Sequence, residues 1–142
     1  MRRHALLLAA VFCACAGPAA REDSISGTMS GLDVLATENF KSLRGKRVGV
    51  ITNRTGVDRR GRSVVDLLAE APGVALAAIF TPEHGFAAAS ESERIASGRT
   101  LVAGREIPLY SLYSGGITGM RPKLAQLHGL DVLIFDIQDV GA

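Results

Sequence analysis

The stretch VALAAIFTPEHGF, residues 74–86, decides the fold, because an unbroken apolar run ends abruptly in polar residues. A strand buried on both faces of a parallel sheet has such a continuous hydrophobic sequence. Pro82 ends the run, and Gly85 allows the chain to turn back. Ligands of parallel α/β sheets bind beyond the carboxyl ends of the strands. Glu83 and His84 therefore stand where such a sheet would hold its functional groups.

Two other apolar runs end in the same way. The run RVGVI, residues 47–51, is followed by TNRTG, and DVLIF, residues 131–135, is followed by DIQDVG. In a parallel sheet all three loops would emerge at one edge and could form one crevice. Each polar residue taken singly also fits a turn or a helix cap, but together they favour a site. The candidate site residues are Asn53, Thr55, Glu83, His84, Asp136, Gln138 and Asp139.

The segments between the apolar runs predict helices and one further short strand. A short amphipathic helix is expected over residues 31–40, a second over residues 63–71 with Ser63 as its cap, and a third over residues 122–128. Residues 108–113 are strand-like. The order strand, helix, strand between residues 47 and 80 is a βαβ unit. The predicted fold class is therefore α/β, a Rossmann-like parallel sheet with flanking helices.

Composition and charge argue against a nucleic-acid partner. The chain of 142 residues is 47% hydrophobic and 21% charged, with a formal net charge of only +2. Such a small net charge gives no electrostatic footprint for nucleic acid. The densest basic cluster is RRGR, residues 59–62. A solvated turn is the simpler interpretation of this cluster, and a site for an anionic saccharide or a peptide carboxylate is the alternative.

The first 16 residues have the features of a signal peptide. Two arginines precede an apolar stretch over residues 5–16, which ends in the A-x-A-like sequence ACA. The stretch is shorter than the roughly 20 apolar residues of a transmembrane helix. We expect an exported protein, periplasmic or extracellular, that loses both cysteines on cleavage. A lipoprotein anchored through an acylated Cys15 is the alternative.

Residues 17–30 have the composition of a linker, so that the domain begins near residue 31. From there to the end of the chain, four blocks occur in order: residues 45–68, 73–86, 107–113 and 130–142. In this order they resemble the exo-β-N-acetylmuramidases of the NamZ type, and the words PEHG and FDIQDVG are the most specific part of the match.

The resemblance implies both an architecture and an activity. Members of that family are longer, with a Rossmann-like amino-terminal domain and a smaller carboxy-terminal domain. Residues 31–142 are therefore expected to be an incomplete amino-terminal part of the catalytic domain, with the carboxy-terminal domain absent. The implied reaction releases a terminal β-N-acetylmuramic acid residue from peptidoglycan fragments. A peptidoglycan-derived saccharide would be the partner, and no cofactor is implied.

Glycoside hydrolysis needs a proton donor for the departing oxygen and a group that stabilises or captures the cationic sugar. Glu83 is the candidate general acid, because its position after a buried strand would raise its pKa by desolvation. The partner carboxylate is sought among Asp136, Asp139, Glu91 and Glu93. Participation by the acetamido group of the substrate itself is a third possibility. The sequence leaves these three mechanisms open.

His84, Asn53, Thr55 and Gln138 are the candidate substrate-binding residues, because they donate and accept hydrogen bonds suited to hydroxyl and acetamido groups. A structural role that anchors the loop is the alternative for His84. No metal site is predicted, since no second histidine or cysteine stands at ligand spacing from His84. A nucleotide-binding module is a rival hypothesis, but the loop after the first strand lacks the G-x-G-x-x-G spacing. A non-catalytic saccharide-binding fragment is the other rival.

Overall fold

The computed structural model describes residues 27–82, 97–112 and 120–138. The predicted signal peptide and most of the predicted linker lie outside these ranges. Within them, five strands form one sheet in the order β3-β4-β2-β1-β5. The strands are β1 (Arg47–Thr52), β2 (Ala75–Thr81), β3 (Gly98–Val102), β4 (Arg105–Ser111) and β5 (Val132–Asp136). The helices are α1 (Gly31–Thr37), α2 (Val64–Glu70) and α3 (Leu124–Leu127), with a 3-10 turn at Lys41–Leu43.

The sheet is mostly parallel, as the sequence predicts. Strand β1 pairs in parallel with β2 on one side and with β5 on the other. Strand β2 also pairs in parallel with β4, while β3 runs antiparallel to β4 at the edge. Ser63 caps α2, because its hydroxyl oxygen accepts a hydrogen bond from the amide of Val65. The α/β fold class, with helices flanking a Rossmann-like sheet, is thus confirmed.

The sequence predicts strands where β1, β2, β4 and β5 occur, but it does not predict β3. It has no continuous apolar run, since only Val102 of its five residues is buried. Its structure depends on pairing with β4 through a tight turn, in which Ala103 and Gly104 have φ angles of 47° and 75°. The predicted helix over residues 122–128 is also shorter than expected, as α3 covers four residues.

The larger core lies between the sheet and the helices α1 and α2. It includes Val48 and Val50 of β1 together with Val65 and Leu68 of α2, none of which exposes more than a trace of surface. A smaller cluster surrounds Phe80, which is fully buried. Burying each such aliphatic side chain stabilises the fold by about 1.5–3 kcal/mol relative to leaving it exposed.

Strand β5 forms the other edge of the sheet, and its apolar side chains are only partly covered. Leu133 and Phe135 expose 41% and 70% of their surface, although both are large and hydrophobic. They alternate with Val132 and Ile134, which pack against the larger core. One face of β5 is therefore part of the core, whereas the other is open in the described part of the chain.

Replacing Leu68 with alanine tests the larger core. Leu68 is fully buried, so Leu68→Ala should lower the free energy of unfolding by about 2–5 kcal/mol through a lost apolar contact surface and a cavity. Leu124→Ala is the matched control, because Leu124 is 88% exposed and should change that free energy by less than about 0.5 kcal/mol. Urea unfolding measures both. Equal effects of the two substitutions would contradict the packing described above.

Candidate functional site

Three parallel strands end side by side at the edge of the sheet that is formed by the carboxyl ends of its strands. Thr52, the last residue of β1, is in register with Asp136, the last residue of β5. Ile51 is in register with Phe80, so that β2 ends at Thr81 beside them. The loops that follow β1, β2 and β5 thus leave the same edge. This confirms the convergence that the three apolar runs predict.

Hydrogen bonds tie the loop after β1 to the chain after β5. The Oδ1 atom of Asn53 accepts from the amide and the hydroxyl of Thr55, at 2.8 and 2.6 Å. The Thr55 hydroxyl oxygen in turn accepts from the amide of Gln138 at 2.9 Å. Among the described residues nothing accepts a hydrogen bond from the side-chain amide of Asn53. That amide remains available to a ligand, while the carbonyl oxygen of the same side chain shapes the loop.

Gly56 allows the two chain segments to approach each other closely. The hydroxyl of Thr52 donates to the backbone oxygen of Asp136 at 2.8 Å. A Cβ atom on Gly56 would overlap the Thr52 hydroxyl oxygen and would come within 2.8 Å of that same backbone oxygen. Only a residue without a side chain fits between them. Gly56 is therefore a packing constraint on the site, independent of any role in turning the chain.

The side chain of Asp136 lies beside a cleft of about 580 Å³. The cleft is otherwise mainly apolar, and it is lined by Gly31, Leu32, Val34, Leu35, Val64, Leu68, Ile134, Phe135 and Asp136. The Asp136 Oδ2 atom and the Thr81 hydroxyl oxygen are both buried, and neither has a hydrogen-bond partner among the described residues. Burial without a partner raises the pKa of Asp136 above its ordinary value. Buried, unpartnered polar atoms are uncommon in proteins, and here two of them occur at the edge where the candidate residues meet.

The described ranges include four of the seven candidate site residues. Asn53, Thr55, Asp136 and Gln138 lie at this edge, the second and fourth of them joined by a hydrogen bond. The other three, Glu83, His84 and Asp139, lie outside the described residues, as do Glu91 and Glu93. Their roles stay predictions.

Two buried carboxylates, Asp33 and Asp58, are not among the seven candidate site residues. Asp33 accepts hydrogen bonds from the amides of Ser30 and Arg59, and Asp58 accepts from the amides of Arg60 and Arg62. Two features of the sequence could have indicated them. Ser30 stands three residues before Asp33, as in a capping box, and Asp58 stands three residues before Gly61, which has a positive φ angle in the structure. The basic cluster at residues 59–62 is therefore an ordered loop that surrounds two acids.

Within the described ranges, no group of three or more His, Cys, Asp or Glu residues could hold a metal ion. None of the helices in the described part of the chain is both long and apolar enough to cross a membrane.

A methyl group at position 56 should disrupt the junction between β1 and β5. Gly56→Ala must displace either the Thr52 hydroxyl or the backbone at Asp136, so the free energy of unfolding should fall by about 1–3 kcal/mol. Gly31→Ala is the control, because nothing lies within 4 Å of the added methyl group. Urea unfolding compares the two variants. Equal stability would mean that the close packing at Gly56 is absent in solution.

Comparisons with known proteins place the chain in a family. A model of the family described as "Exo-beta-N-acetylmuramidase NamZ, N-terminal" matches residues 48–142. The chain is 42% identical over 113 residues to the peptidoglycan beta-N-acetylmuramidase NamZ of Bacillus subtilis (strain 168), a match that covers 79% of this chain and 26% of the relative.

Two solved structures from Bacteroides fragilis NCTC 9343, both described as DUF1343 family proteins, share the fold. The first has a TM-score of 0.65 and 42% identity, covering 80% of this chain and 27% of the other. The second has a TM-score of 0.56 and 30% identity, covering 82% and 27%. The chain thus spans about a quarter of the length of the relatives it matches. By its sequence blocks, its sheet and these matches, the chain belongs to the NamZ family of exo-beta-N-acetylmuramidases and corresponds to the amino-terminal region of that family.

Proposed function

We propose that the chain takes part in the hydrolysis of the glycosidic bond of a terminal β-N-acetylmuramic acid residue in peptidoglycan fragments. The observation that carries this proposal is the partly buried carboxyl group of Asp136 at the edge where β1, β2 and β5 end, because its Oδ2 atom has no hydrogen-bond partner among the described residues. Membership of the NamZ family, and the activity for which the Bacillus subtilis relative is named, support the choice of substrate.

The chemistry needs two groups on opposite sides of the scissile bond. Glu83, two residues after β2 ends, is the proposed general acid, and it gives its proton to the glycosidic oxygen as the bond from that oxygen to the anomeric carbon breaks. Asp136 is the proposed second group. It takes a proton from the water whose oxygen bonds to the anomeric carbon, and a raised pKa makes its carboxylate a stronger base.

The arrangement of the strands is compatible with these two roles. Strand β1 separates β2 from β5, and neighbouring strands lie about 4.8 Å apart, so the backbones at Thr81 and Asp136 are about 10 Å apart. Carboxyl groups about 6.5–9.5 Å apart leave room for an activated water between sugar and base. Asp139 as the second group, or participation by the substrate acetamido group, are the competing mechanisms.

The site of action is part of the same proposal. Peptidoglycan lies outside the cytoplasm, and the signal-like residues 1–16 fit export to the periplasm or the cell exterior. The side-chain amides of Asn53 and Gln138, the hydroxyl of Thr55 and the imidazole of His84 would then bind the sugar.

Release of a chromogenic aglycone from a β-N-acetylmuramide by the purified 142-residue chain tests the proposal. Glu83→Gln should lower kcat by about 10²- to 10⁴-fold, the usual contribution of general acid catalysis. Glu70→Gln is the matched control, because Glu70 is exposed at the end of α2 and should leave kcat unchanged.

A β-N-acetylglucosaminide, which lacks the lactyl group, should be a poor substrate. If Glu83→Gln and Glu70→Gln were equally active, Glu83 would not be the acid. Binding of the muramide without turnover by the folded chain would favour the non-catalytic saccharide-binding fragment instead.

Asp136→Asn should raise the free energy of unfolding at pH 7, because it removes a charge that is unfavourable where it is buried. The same substitution should slow turnover by about 10²-fold, because it removes the proposed base. Because the pKa of Asp136 is raised in the folded state, the charged carboxylate lowers the free energy of unfolding at pH values above that pKa. Below the ordinary value of 3.8 the carboxyl group is neutral in both states, and this loss of stability is absent. The gain in stability should therefore disappear when unfolding is measured near pH 3.

Asp66→Asn, at an exposed position on α2, controls for the loss of one negative charge. A wild-type chain that is more stable than Asp136→Asn at pH 7 would show that the Asp136 carboxylate is well solvated or paired.

A further inference from the structure

A second, polar pocket lies on the outer side of α1, between that helix and the loop that follows β1. Its volume is about 150 Å³, and we call it the arginine pocket. It is lined by Met29, Asp33, Ala36, Thr37, Asp58, Arg59, Arg60 and Arg62. None of these residues belongs to the candidate catalytic site. The loop nevertheless starts from the same edge of the sheet, since it follows Thr52 at the end of β1.

Two buried carboxylates fix the arginine-rich loop in place. Asp58 is 5% exposed, and its Oδ1 atom accepts from the amides of Arg60 and Arg62. Asp33 is 8% exposed, and the amides of Arg59 and Ser30 donate to it. These hydrogen bonds hold the pKa of Asp33 at about 2, the amide of Arg59 having the largest effect. Burial alone would raise the pKa of Asp58, but the hydrogen bonds from Arg62 and Arg60 lower it overall. Both side chains are therefore negatively charged at neutral pH.

The same carboxylates also orient two of the guanidinium groups. The Nε and Nη2 atoms of Arg62 lie 2.9 and 2.8 Å from Asp58 Oδ2. The Nε atom of Arg59 lies 3.5 Å from Asp33 Oδ2, and its Nη2 atom donates to the backbone oxygen of Thr28. Each guanidinium has five N–H donors, so these contacts leave donors unused on both side chains. Arginines held in this way lose less conformational entropy when they bind an anion.

Among the described residues, the guanidinium of Arg60 has no carboxylate partner, unlike those of Arg59 and Arg62. In the described part of the chain the Arg60 guanidinium makes no hydrogen bond or ion pair, although the backbone amide of Arg60 is held by Asp58. Three arginines and two aspartates line the pocket, so the lining carries a net charge of one positive unit, 3 − 2 = +1. This excess matches a singly charged anion rather than a doubly charged one.

We propose that the arginine pocket binds a carboxylate group of the ligand, with Arg60 as the principal contact and with Arg59 and Arg62 as preoriented neighbours. Arginine pairs with carboxylates through two parallel N–H donors, which gives both charge and geometry. The identity of the ligand rests on the proposed function, whose substrate carries a carboxylate on the lactyl group of its muramic acid residue. The pocket would thus add a subsite that selects acidic wall fragments.

Nuclear magnetic resonance titration of the folded 142-residue chain tests this proposal residue by residue. The probes are N-acetylmuramic acid, N-acetylglucosamine, which lacks the carboxylate, and inorganic phosphate. N-acetylmuramic acid should shift the side-chain Nε–H signals of Arg59, Arg60 and Arg62, while N-acetylglucosamine should not. Phosphate should bind more weakly than the carboxylate, because its second charge is unmatched by the lining.

Arg60→Gln should weaken the binding of N-acetylmuramic acid at the pocket about tenfold, the loss expected when one charge-assisted hydrogen bond is removed. Arg60→Lys should retain part of the affinity. Arg44→Gln, at an exposed position outside the pocket, should leave the affinity unchanged. An unchanged spectrum of the remaining amides shows that each variant is folded.

The proposal is overturned if N-acetylmuramic acid leaves the three arginine signals unshifted. It is also overturned if phosphate binds as well as the carboxylate, or if Arg60→Gln and Arg44→Gln behave alike. Hydrolysis by the wild-type chain and its loss in Glu83→Gln test the proposed function separately. Shifts of the arginine signals without hydrolysis would support binding at the arginine pocket and contradict the proposed hydrolysis. Hydrolysis without such shifts would support the proposed function and contradict binding at the pocket.

Discussion

The hydrogen bond from the Thr52 hydroxyl to the backbone oxygen of Asp136 fixes the geometry on which the candidate site depends. It joins the ends of two parallel strands at 2.8 Å, and Gly56 packs against both of its atoms. Because β1 is the central member of the β2-β1-β5 group, the same junction fixes where the loop after β1 meets the chain after β5. Just beyond this junction, the amide of Gln138 donates a hydrogen bond to the Thr55 hydroxyl oxygen.

The carboxyl groups of Asp33 and Asp58 lie in an electrostatic environment opposite to that of Asp136. Asp33 and Asp58 receive several hydrogen bonds, and the pKa of each lies below its ordinary value. One oxygen of Asp136 has no partner among the described residues, and burial raises the pKa of this carboxyl group. The first two carboxylates hold the arginine-rich loop through hydrogen bonds, whereas Asp136 makes no such side-chain contact in the described part of the chain. Perturbed carboxyl groups of this second kind are typical of functional sites.

Much of the fold could be predicted from the sequence, because buried parallel strands have a strong local signal. The runs that became β1, β2 and β5 are continuous and apolar, and Ser63 is a clear helix cap. The strand β3 could not be predicted in this way, since it forms by pairing with β4 and has no continuous apolar sequence of its own. Local sequence also predicted which loops share an edge.

The candidate site was predictable in position but not in chemistry. The convergence of the loops follows from strand direction, whereas the unpartnered oxygen of Asp136 depends on what packs around it. Nor does the sequence RRGR reveal that the amide of Arg59 donates a hydrogen bond to Asp33, which stands 26 residues earlier in the chain. Such contacts between distant segments are set by tertiary structure.

A crystal structure of the 142-residue chain with N-acetylmuramic acid bound would test the central claim most directly. The account predicts that the sugar ring lies beyond the carboxyl ends of β1, β2 and β5, with a polar atom about 3 Å from the side chain of Asn53 or Asp136. A ring bound at the opposite edge of the sheet, or one that contacts neither side chain, would contradict it.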